Sequence, residues 1–153
     1  MVHKNYELAA HWFNIAAKNG DPVAQYKLGN LYGWTHSIEE TFKDVRPKNL
    51  KLASAFPKNL KEAAKWLTLS ANQGFVDGQF LLGIAYRDGQ GVTKSNVTAY
   101  KWFGLAAMRE ISDRRANGVI ILRDHVAKQM TEEEMREALT LINEWEPIMG
   151  AKP

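Results

Sequence analysis

The chain has 153 residues, 45% of them hydrophobic, and its 20 basic and 17 acidic residues leave a net charge of +3. This length suits one domain. The scattered charges argue against nucleic acid as a partner, because nucleic-acid-binding proteins usually carry a basic stripe on one face. There is no cysteine, which excludes disulfides and thiolate chemistry. The sequence also lacks the apolar core of a signal peptide and any stretch of ~20 apolar residues. We therefore expect no membrane partner and a cytoplasmic protein; the alternative is a periplasmic or exported protein whose signal has been removed.

The first predicted element is a helix that ends at Gly20. Its apolar residues, plotted at about 100° per residue, wrap nearly the whole circumference: Tyr6, Leu8, Ala9, Ala10, Trp12, Phe13, Ile15, Ala16 and Ala17. A helix that is apolar all round is normally buried all round, and the next helix covers only one side. A second cover is therefore needed over either the Leu8 side or the Tyr6 side. We expect a homodimer through this helix; the alternative is a chain cut from a longer helical array. The predicted interface residues are Leu8, Trp12, Phe13 and Ile15.

Similar segments recur along the chain at fixed offsets. ELAAHWFNIAAKNG (7–20) matches KEAAKWLTLSANQG (61–74), and AQYKLGNLYGW (24–34) matches GQFLLGIAYRD (78–88), both at an offset of 54 residues. Trp66 recurs as Trp102, at an offset of only 36. The unit is therefore about 36 residues long, and the first full copy holds about 18 additional residues, at 35–52.

Each unit is predicted to contain two helices. The first helix of the first full unit begins at Asp21 and Pro22, a typical N-cap followed by proline at the first helical position. Glycine suits the left-handed residue after a helix and the turn between two antiparallel helices. The glycines predicted at such positions are Gly20, Gly74, Gly89 and Gly91.

Two further glycines, Gly29 and Gly83, lie inside predicted helices, where glycine is unfavourable by ~1 kcal/mol relative to alanine. Each lies beside a leucine of the apolar stripe. We expect a neighbouring helix to approach too closely there for any side chain.

These residues resemble the Sel1-like repeat, a relative of the tetratricopeptide repeat. The copy at 78–107 matches its pattern best, at Leu82, Gly83, Tyr86, Gly89, Gly91, Val92, Ala99, Trp102, Phe103, Ala106 and Ala107. The resemblance implies an all-α fold, a right-handed α/α solenoid of about two and a half repeats with a C-terminal helical cap. The single domain, 1–153, divides into a half repeat, a repeat with an insertion, a second repeat and capping helices, at 6–20, 21–74 (insertion 35–52), 75–111 and 112–149.

The insertion has two interpretations. Ser37 and Glu40 have the spacing of a capping box, which predicts a short helix from Ile38 to about Val45, before Pro47. The alternative is a solvated loop. In either form, an insertion on a repeat scaffold is a place where specificity for a partner can arise.

The C-terminal residues are predicted to form the cap that shields the last apolar face of a solenoid. Segment 114–129 carries Val119, Leu122 and Val126 at helical spacing. The next helix begins with a capping box of Thr131 and Glu134, and its predicted buried stripe is Met135, Leu139, Ile142 and Trp145. This end of the chain resembles the closing helices of many bacterial Sel1-like proteins.

No catalytic or metal-binding motif is present, and the four histidines are far apart. We therefore expect neither an enzyme nor a cofactor or metal. The resemblance implies an adaptor that binds another protein or a peptide along a concave groove lined by the first helices. The predicted partner-binding residues are Tyr26, Asn30, Phe80, Ile84 and Arg87. For Phe80 and Ile84, the alternative is simple packing against adjacent helices. The alternative functions are an enzyme or small-molecule binder, with a pocket between groove and insertion, and a purely self-associating module.

Overall fold

A computed structural model describes residues 6–41, 58–109 and 113–153, and within these ranges all regular secondary structure is helical. The helices are α1 (Tyr6–Lys18), α2 (Pro22–Thr41), α3 (Leu60–Asn72), α4 (Val76–Asp88), α5 (Asn96–Arg109), α6 (Asp113–Ala127) and α7 (Glu132–Asn143). Each helix from α1 to α5 packs against the next helix in this series, and α7 packs against α5. This is the predicted α solenoid with its C-terminal helices.

The helices begin and end where the local sequence requires. The side chain of Asp21 accepts a hydrogen bond of 2.6 Å from the backbone N–H of Ala24, and Asn59 accepts one in the same way from Glu62 at the start of α3. Both bonds satisfy a donor that a helix N-terminus leaves without a partner. The positive φ values predicted for four glycines are confirmed, at Gly20, Gly74, Gly89 and Gly91.

The predicted start of a separate helix at Ile38 is wrong. α2 continues without a break to Thr41, so Ser37 lies inside a helix rather than before one. A capping box requires an N-cap outside the helix, and the continuous α2 backbone removes that condition. The rest of the predicted insertion helix, 42–45, lies outside the described residues.

The core consists of three apolar clusters that follow one another along the stack. The first joins α1, α2 and α3 through Ala17, Ala24, Leu28 and Trp66. The second joins α3, α4 and α5 through Leu67, Ala71, Leu82, Ala85, Trp102 and Leu105. The third joins α5 and α6 through Ala99, Phe103, Ala106, Val119 and Val126. Because each cluster uses helices of neighbouring units, no unit buries its apolar faces alone.

Gly29 and Gly83 mark the predicted close approaches. A Cβ atom on Gly29 would lie 2.7 Å from Cγ of Leu67, and one on Gly83 would lie 2.7 Å from the ring of Phe103. In both cases the neighbour is a fully buried side chain of the next helix. The glycines therefore allow α2 to pack on α3 and α4 to pack on α5.

The capping box at the start of α7 is confirmed by hydrogen bonds in both directions between Thr131 and Glu134. In the predicted buried stripe, Leu139 is wrong because it is 45% exposed, and the fully buried residue is Ala138. Met135, Ile142 and Trp145 are half-buried. Ile142 reaches the position that a Cβ on Gly104 of α5 would occupy. This contact turns the residue four positions earlier, Ala138, toward α5, and it leaves Leu139 about 100° away on the open side.

After α7 the chain returns along the stack. Trp145 packs edge-on against Trp102, with ring centroids 6.5 Å apart. The backbone N–H of Ile148 then donates to the carbonyl oxygen of Asn72 at 2.8 Å, and the carbonyl oxygen of Ala151 accepts from the side chain of Gln25 at 2.7 Å. We call residues 146–151 the tail. It passes from α5 to the end of α3 and then to the start of α2.

Candidate partner-binding surface

The predicted partner-binding residues lie on the first helices of the two full units. Tyr26 and Asn30 belong to α2, and Phe80, Ile84 and Arg87 belong to α4. All five are half-buried. They are thus part neither of the closed core nor of the fully exposed surface.

Tyr26 and Phe80 occupy the same position in successive units, and each ring rests against another ring. The centroid of Tyr26 is 5.4 Å from that of Phe75, and the centroid of Phe80 is 6.1 Å from that of Phe103. Both pairs are tilted, at 51° and 50° between the ring planes, and lie within the centroid separation usual for aromatic contacts. These contacts restrict the rotamers of Tyr26 and Phe80 while part of each side chain stays accessible.

Phe80 and Ile84 also pack against the cluster of α5 and α6. The alternative interpretation, packing against adjacent helices, therefore holds for the buried part of both side chains. A role in partner binding can involve only the part that remains accessible.

Arg87 lies at the end of α4 and forms a bidentate pair with Asp88. Its Nε and Nη2 donate to the two carboxylate oxygens, both at 2.7 Å. This hydrogen bonding raises the pKa of Arg87 and lowers the pKa of Asp88, with the charge of the partner acting in the same direction. The pair fixes the direction of the guanidinium group.

The predicted interface residues on α1 divide into two groups. Phe13 packs against the first core cluster, whereas Trp12 is 59% exposed and Ile15 is 39% exposed. The side chain of Leu8 lies outside the described residues. The apolar side of α1 that stays exposed is therefore the one that carries Trp12 and Ile15.

A buried polar site at the ends of α1 and α3 was missed by sequence reasoning. Gln25 is 0% exposed and Gln73 is 8% exposed. Nε2 of Gln73 donates to Oε1 of Gln25 at 2.8 Å and to the carbonyl oxygen of Gly20 at 2.9 Å. Nε2 of Gln25 in turn donates to the carbonyl oxygen of Ala17 at 3.0 Å.

The repeat alignment contained a signal for this site. Gln25 recurs one unit later as Gln79, which is also fully buried. Nε2 of Gln79 donates to the carbonyl oxygen of Ala71, and Nε2 of Gln25 donates to that of the equivalent residue, Ala17. A glutamine that recurs at one repeat position among apolar residues indicates a buried amide with a repeated structural role.

In the described ranges, no three side chains of histidine, aspartate or glutamate come together as a metal site. One open surface depression lies at the start of α5 and is lined by Lys94, Ser95, Asn96, Val97 and Glu134. The pocket predicted between groove and insertion involves residues outside the described ranges. None of the described helices is long and apolar enough to cross a membrane.

The stacked helical pairs and their half-buried aromatic residues define a helical-repeat protein of the kind that presents an extended surface. A model of the Sel1 repeat matches residues 1–21, 22–40, 54–75 and 76–110. The chain belongs to the Sel1 repeat family. Proteins of this family act as scaffolds for protein–protein interactions.

Two similar proteins illustrate the range of the family. The chain is 32% identical, over 123 residues, to the chitin synthase regulator SKT5 of Saccharomyces cerevisiae. This match covers 80% of the chain and 15% of SKT5. The chain also resembles the crystal structure of a protective antigen of uropathogenic Escherichia coli strains with a Sel1-like repeat fold. The TM-score is 0.54 at 27% identity, and the match covers 94% of this chain and 34% of the antigen. The chain thus spans a small part of the first relative and about a third of the second.

Proposed function

We propose that this chain is a non-enzymatic scaffold that binds a segment of another protein across α2 and α4. The observation that carries the proposal is the repeated aromatic position, Tyr26 and Phe80. Both rings are half-buried, and each is held by a neighbouring ring. Aromatic and arginine side chains dominate the binding energy of protein interfaces, and Arg87 adds the second type.

Restricted side chains favour binding because less conformational entropy is lost when a partner arrives. The ring of Tyr26 is held by Phe75, and the guanidinium of Arg87 is held by Asp88. A partner segment would meet anchors whose directions are already set. The name of the yeast relative describes a regulator of an enzyme, which supports a protein as the partner rather than a small molecule.

The test is affinity capture from the native host, with the purified chain as bait and quantification of the proteins retained. Phe80→Ala and Arg87→Ala should each retain less of the partner while the helical circular dichroism signal stays unchanged. Arg123→Ala is the matched control, because Arg123 on α6 also pairs with the next residue, donating from two nitrogens to one carboxylate oxygen of Asp124 at 3.0 and 2.8 Å. If a captured protein binds the wild type and the two α4 variants equally, the surface across α2 and α4 is not its site.

We also propose that α1 forms a homodimer interface, with a longer helical array as the alternative. The exposed Trp12 and Ile15 support this proposal, since large apolar side chains on one helix face are typical of contact surfaces. A two-fold arrangement would cover both copies with one type of contact. Light scattering at micromolar concentration should give the mass of a dimer, and Trp12→Glu should reduce it to that of a monomer. A monomeric wild type would contradict the proposal.

A further inference from the structure

The tail, residues 146–151, lies against a polar surface at the ends of two helices. Ile148 donates its backbone N–H to the carbonyl oxygen of Asn72 at 2.8 Å. Gly150 donates its N–H to Oε1 of Gln73 at 2.8 Å, and Ala151 accepts from Nε2 of Gln25 at 2.7 Å. We call the surface formed by Gly20, Gln25, Asn72 and Gln73 the tail seat.

The tail seat contacts the main chain of the tail rather than its side chains. All three hydrogen bonds use backbone atoms of the tail, and the side chains between them point outward, with Ile148 60% and Met149 78% exposed. Any peptide that follows the same backbone path can form the same bonds. The seat therefore selects a backbone conformation more than a sequence.

One position of the tail does restrict the sequence. Gly150 has φ +68°, a backbone conformation that glycine adopts readily and L-residues rarely adopt. A Cβ atom on Gly20, opposite it, would lie 2.9 Å from the carbonyl oxygen of Gly150. The fitting ligand is a short non-helical segment with glycine at this position.

The tail seat is held in place by bonds that do not involve the tail. Gln73 is fixed by Gly20 and Gln25, and Gln25 is fixed by Ala17. The acceptor Oε1 of Gln73 and a second N–H of Gln25 are thus directed at the tail by contacts within the repeats. A surface fixed in this way can receive a peptide from elsewhere without reorganising.

We propose that the tail seat is a binding site for a non-helical, glycine-containing segment of a partner protein, and that the tail occupies this site within the same chain. The tail seat uses different residues from the surface across α2 and α4, and the proposal stands whether or not that surface binds a partner. A tethered segment competes at an effective concentration on the order of millimolar. The tail must therefore leave before a partner binds.

The experiment uses the full chain and a fluorescent synthetic peptide, EPIMGAKP, with the sequence of residues 146–153. Gly150→Val in the protein disfavours the positive φ of its own tail and leaves the tail seat unchanged. The variant should bind the peptide about tenfold more tightly than the wild type, because an L-residue at the left-handed position weakens the competing tail. Met149→Val is the matched control, because that side chain is exposed and its φ is not positive. It should bind like the wild type.

Two peptide variants test the glycine position of the ligand directly. A peptide with D-alanine in place of the glycine should bind the Gly150→Val protein more tightly than one with L-alanine, because D-residues favour positive φ. Equal binding of the two peptides, or equal binding of EPIMGAKP by wild type and Gly150→Val, would overturn the proposal.

A measurement on the wild type covers the case in which Gly150→Val does not fold. With isotope-labelled protein and millimolar unlabelled peptide, the amide signals of Ile148 and Gly150 should move to unfolded positions, while the side-chain amide signals of Gln73 stay in place. If the Ile148 and Gly150 signals do not move at this concentration, the tail is a permanent part of the fold and the proposal is wrong.

Discussion

The side chains of Gln73 and Gln25 form a hydrogen bond of 2.8 Å that joins the end of α3 to the start of α2 within the first full unit. Gln73 also binds the carbonyl oxygen of Gly20 and the N–H of Gly150. One buried amide thus connects the loop after α1, the first turn of α2, the end of α3 and the tail.

Replacing Gln73 by methionine keeps the size of the side chain and removes its hydrogen bonds. We expect the free energy of unfolding to fall by ~1–3 kcal/mol, because Gln25 and Gly20 are left as buried acceptors without a donor. Urea denaturation followed by circular dichroism measures this. Gln129→Met, at an exposed position, is the control and should change stability by less than ~0.5 kcal/mol. Equal effects of the two substitutions would contradict a special role for Gln73.

The close approach at Gly83 predicts opposite effects of the same substitution at two helical glycines. Gly83→Leu should destabilise the protein by ~1–3 kcal/mol, because the ring of Phe103 occupies the space that the new side chain needs. Gly118→Leu on α6 meets nothing within 4 Å. It should stabilise the protein by up to ~1 kcal/mol through higher helix propensity. Thermal melting of both variants tests this prediction. A raised melting temperature for Gly83→Leu would mean that Gly83 does not face the ring of Phe103.

The tryptophans differ in burial and should differ in their contributions to stability. Trp66 is 3% and Trp102 is 4% exposed, whereas Trp12 is 59% exposed. Truncation of either buried tryptophan to alanine should cost ~3–5 kcal/mol, and Trp12→Ala should change stability by about 0.5 kcal/mol or less. Denaturation of the three variants at one low protein concentration, where dimers dissociate, gives the comparison. A large loss for Trp12→Ala there would mean that its side chain is packed within the monomer.

The pair of Arg87 and Asp88 predicts that the free energy of unfolding depends on pH in the acid range. The hydrogen bond from Arg87 lowers the pKa of Asp88 below its ordinary value of 3.8. The carboxylate of Asp88 therefore binds a proton less readily in the folded chain than in the unfolded chain. The stabilisation is therefore complete above pH 3.8 and is lost as the pH falls through the folded pKa. It should be small, since side chains this accessible are screened by solvent. NMR titration of the Asp88 carboxyl group should show a higher pKa in Arg87→Ala, still lowered somewhat by Lys94. An unchanged pKa would contradict the assigned cause.

Features set by neighbouring residues could be predicted from the sequence. Asp21 and Pro22 start α2, and Thr131 and Glu134 cap α7, because both motifs act within one turn of helix. Gly29 and Gly83 were predictable because each lies inside a helix beside a leucine of the apolar stripe, whereas Gly118 has no close neighbour. The repeat itself placed Tyr26 and Phe80 at equivalent positions, although their role in binding remains a prediction.

Features set by distant residues could not be predicted. Leu139 and Ala138 differ by one position in α7, and the contact of Ile142 with Gly104 decides which of them is buried. The tail has no periodic pattern, and its hydrogen bonds join residues 77 and 126 positions apart. No local propensity specifies such bonds.

The path of the tail has a consequence for how the protein unfolds. Helical repeats contact only their neighbours, so a linear array can lose its terminal units one at a time. Here the bond between Ala151 and Gln25 joins the last segment of the chain to the first full unit. A stack closed in this way cannot fray at its C-terminal end without also releasing a contact near its start. We expect this long-range closure to make unfolding more cooperative and folding slower than in an open array of the same repeats.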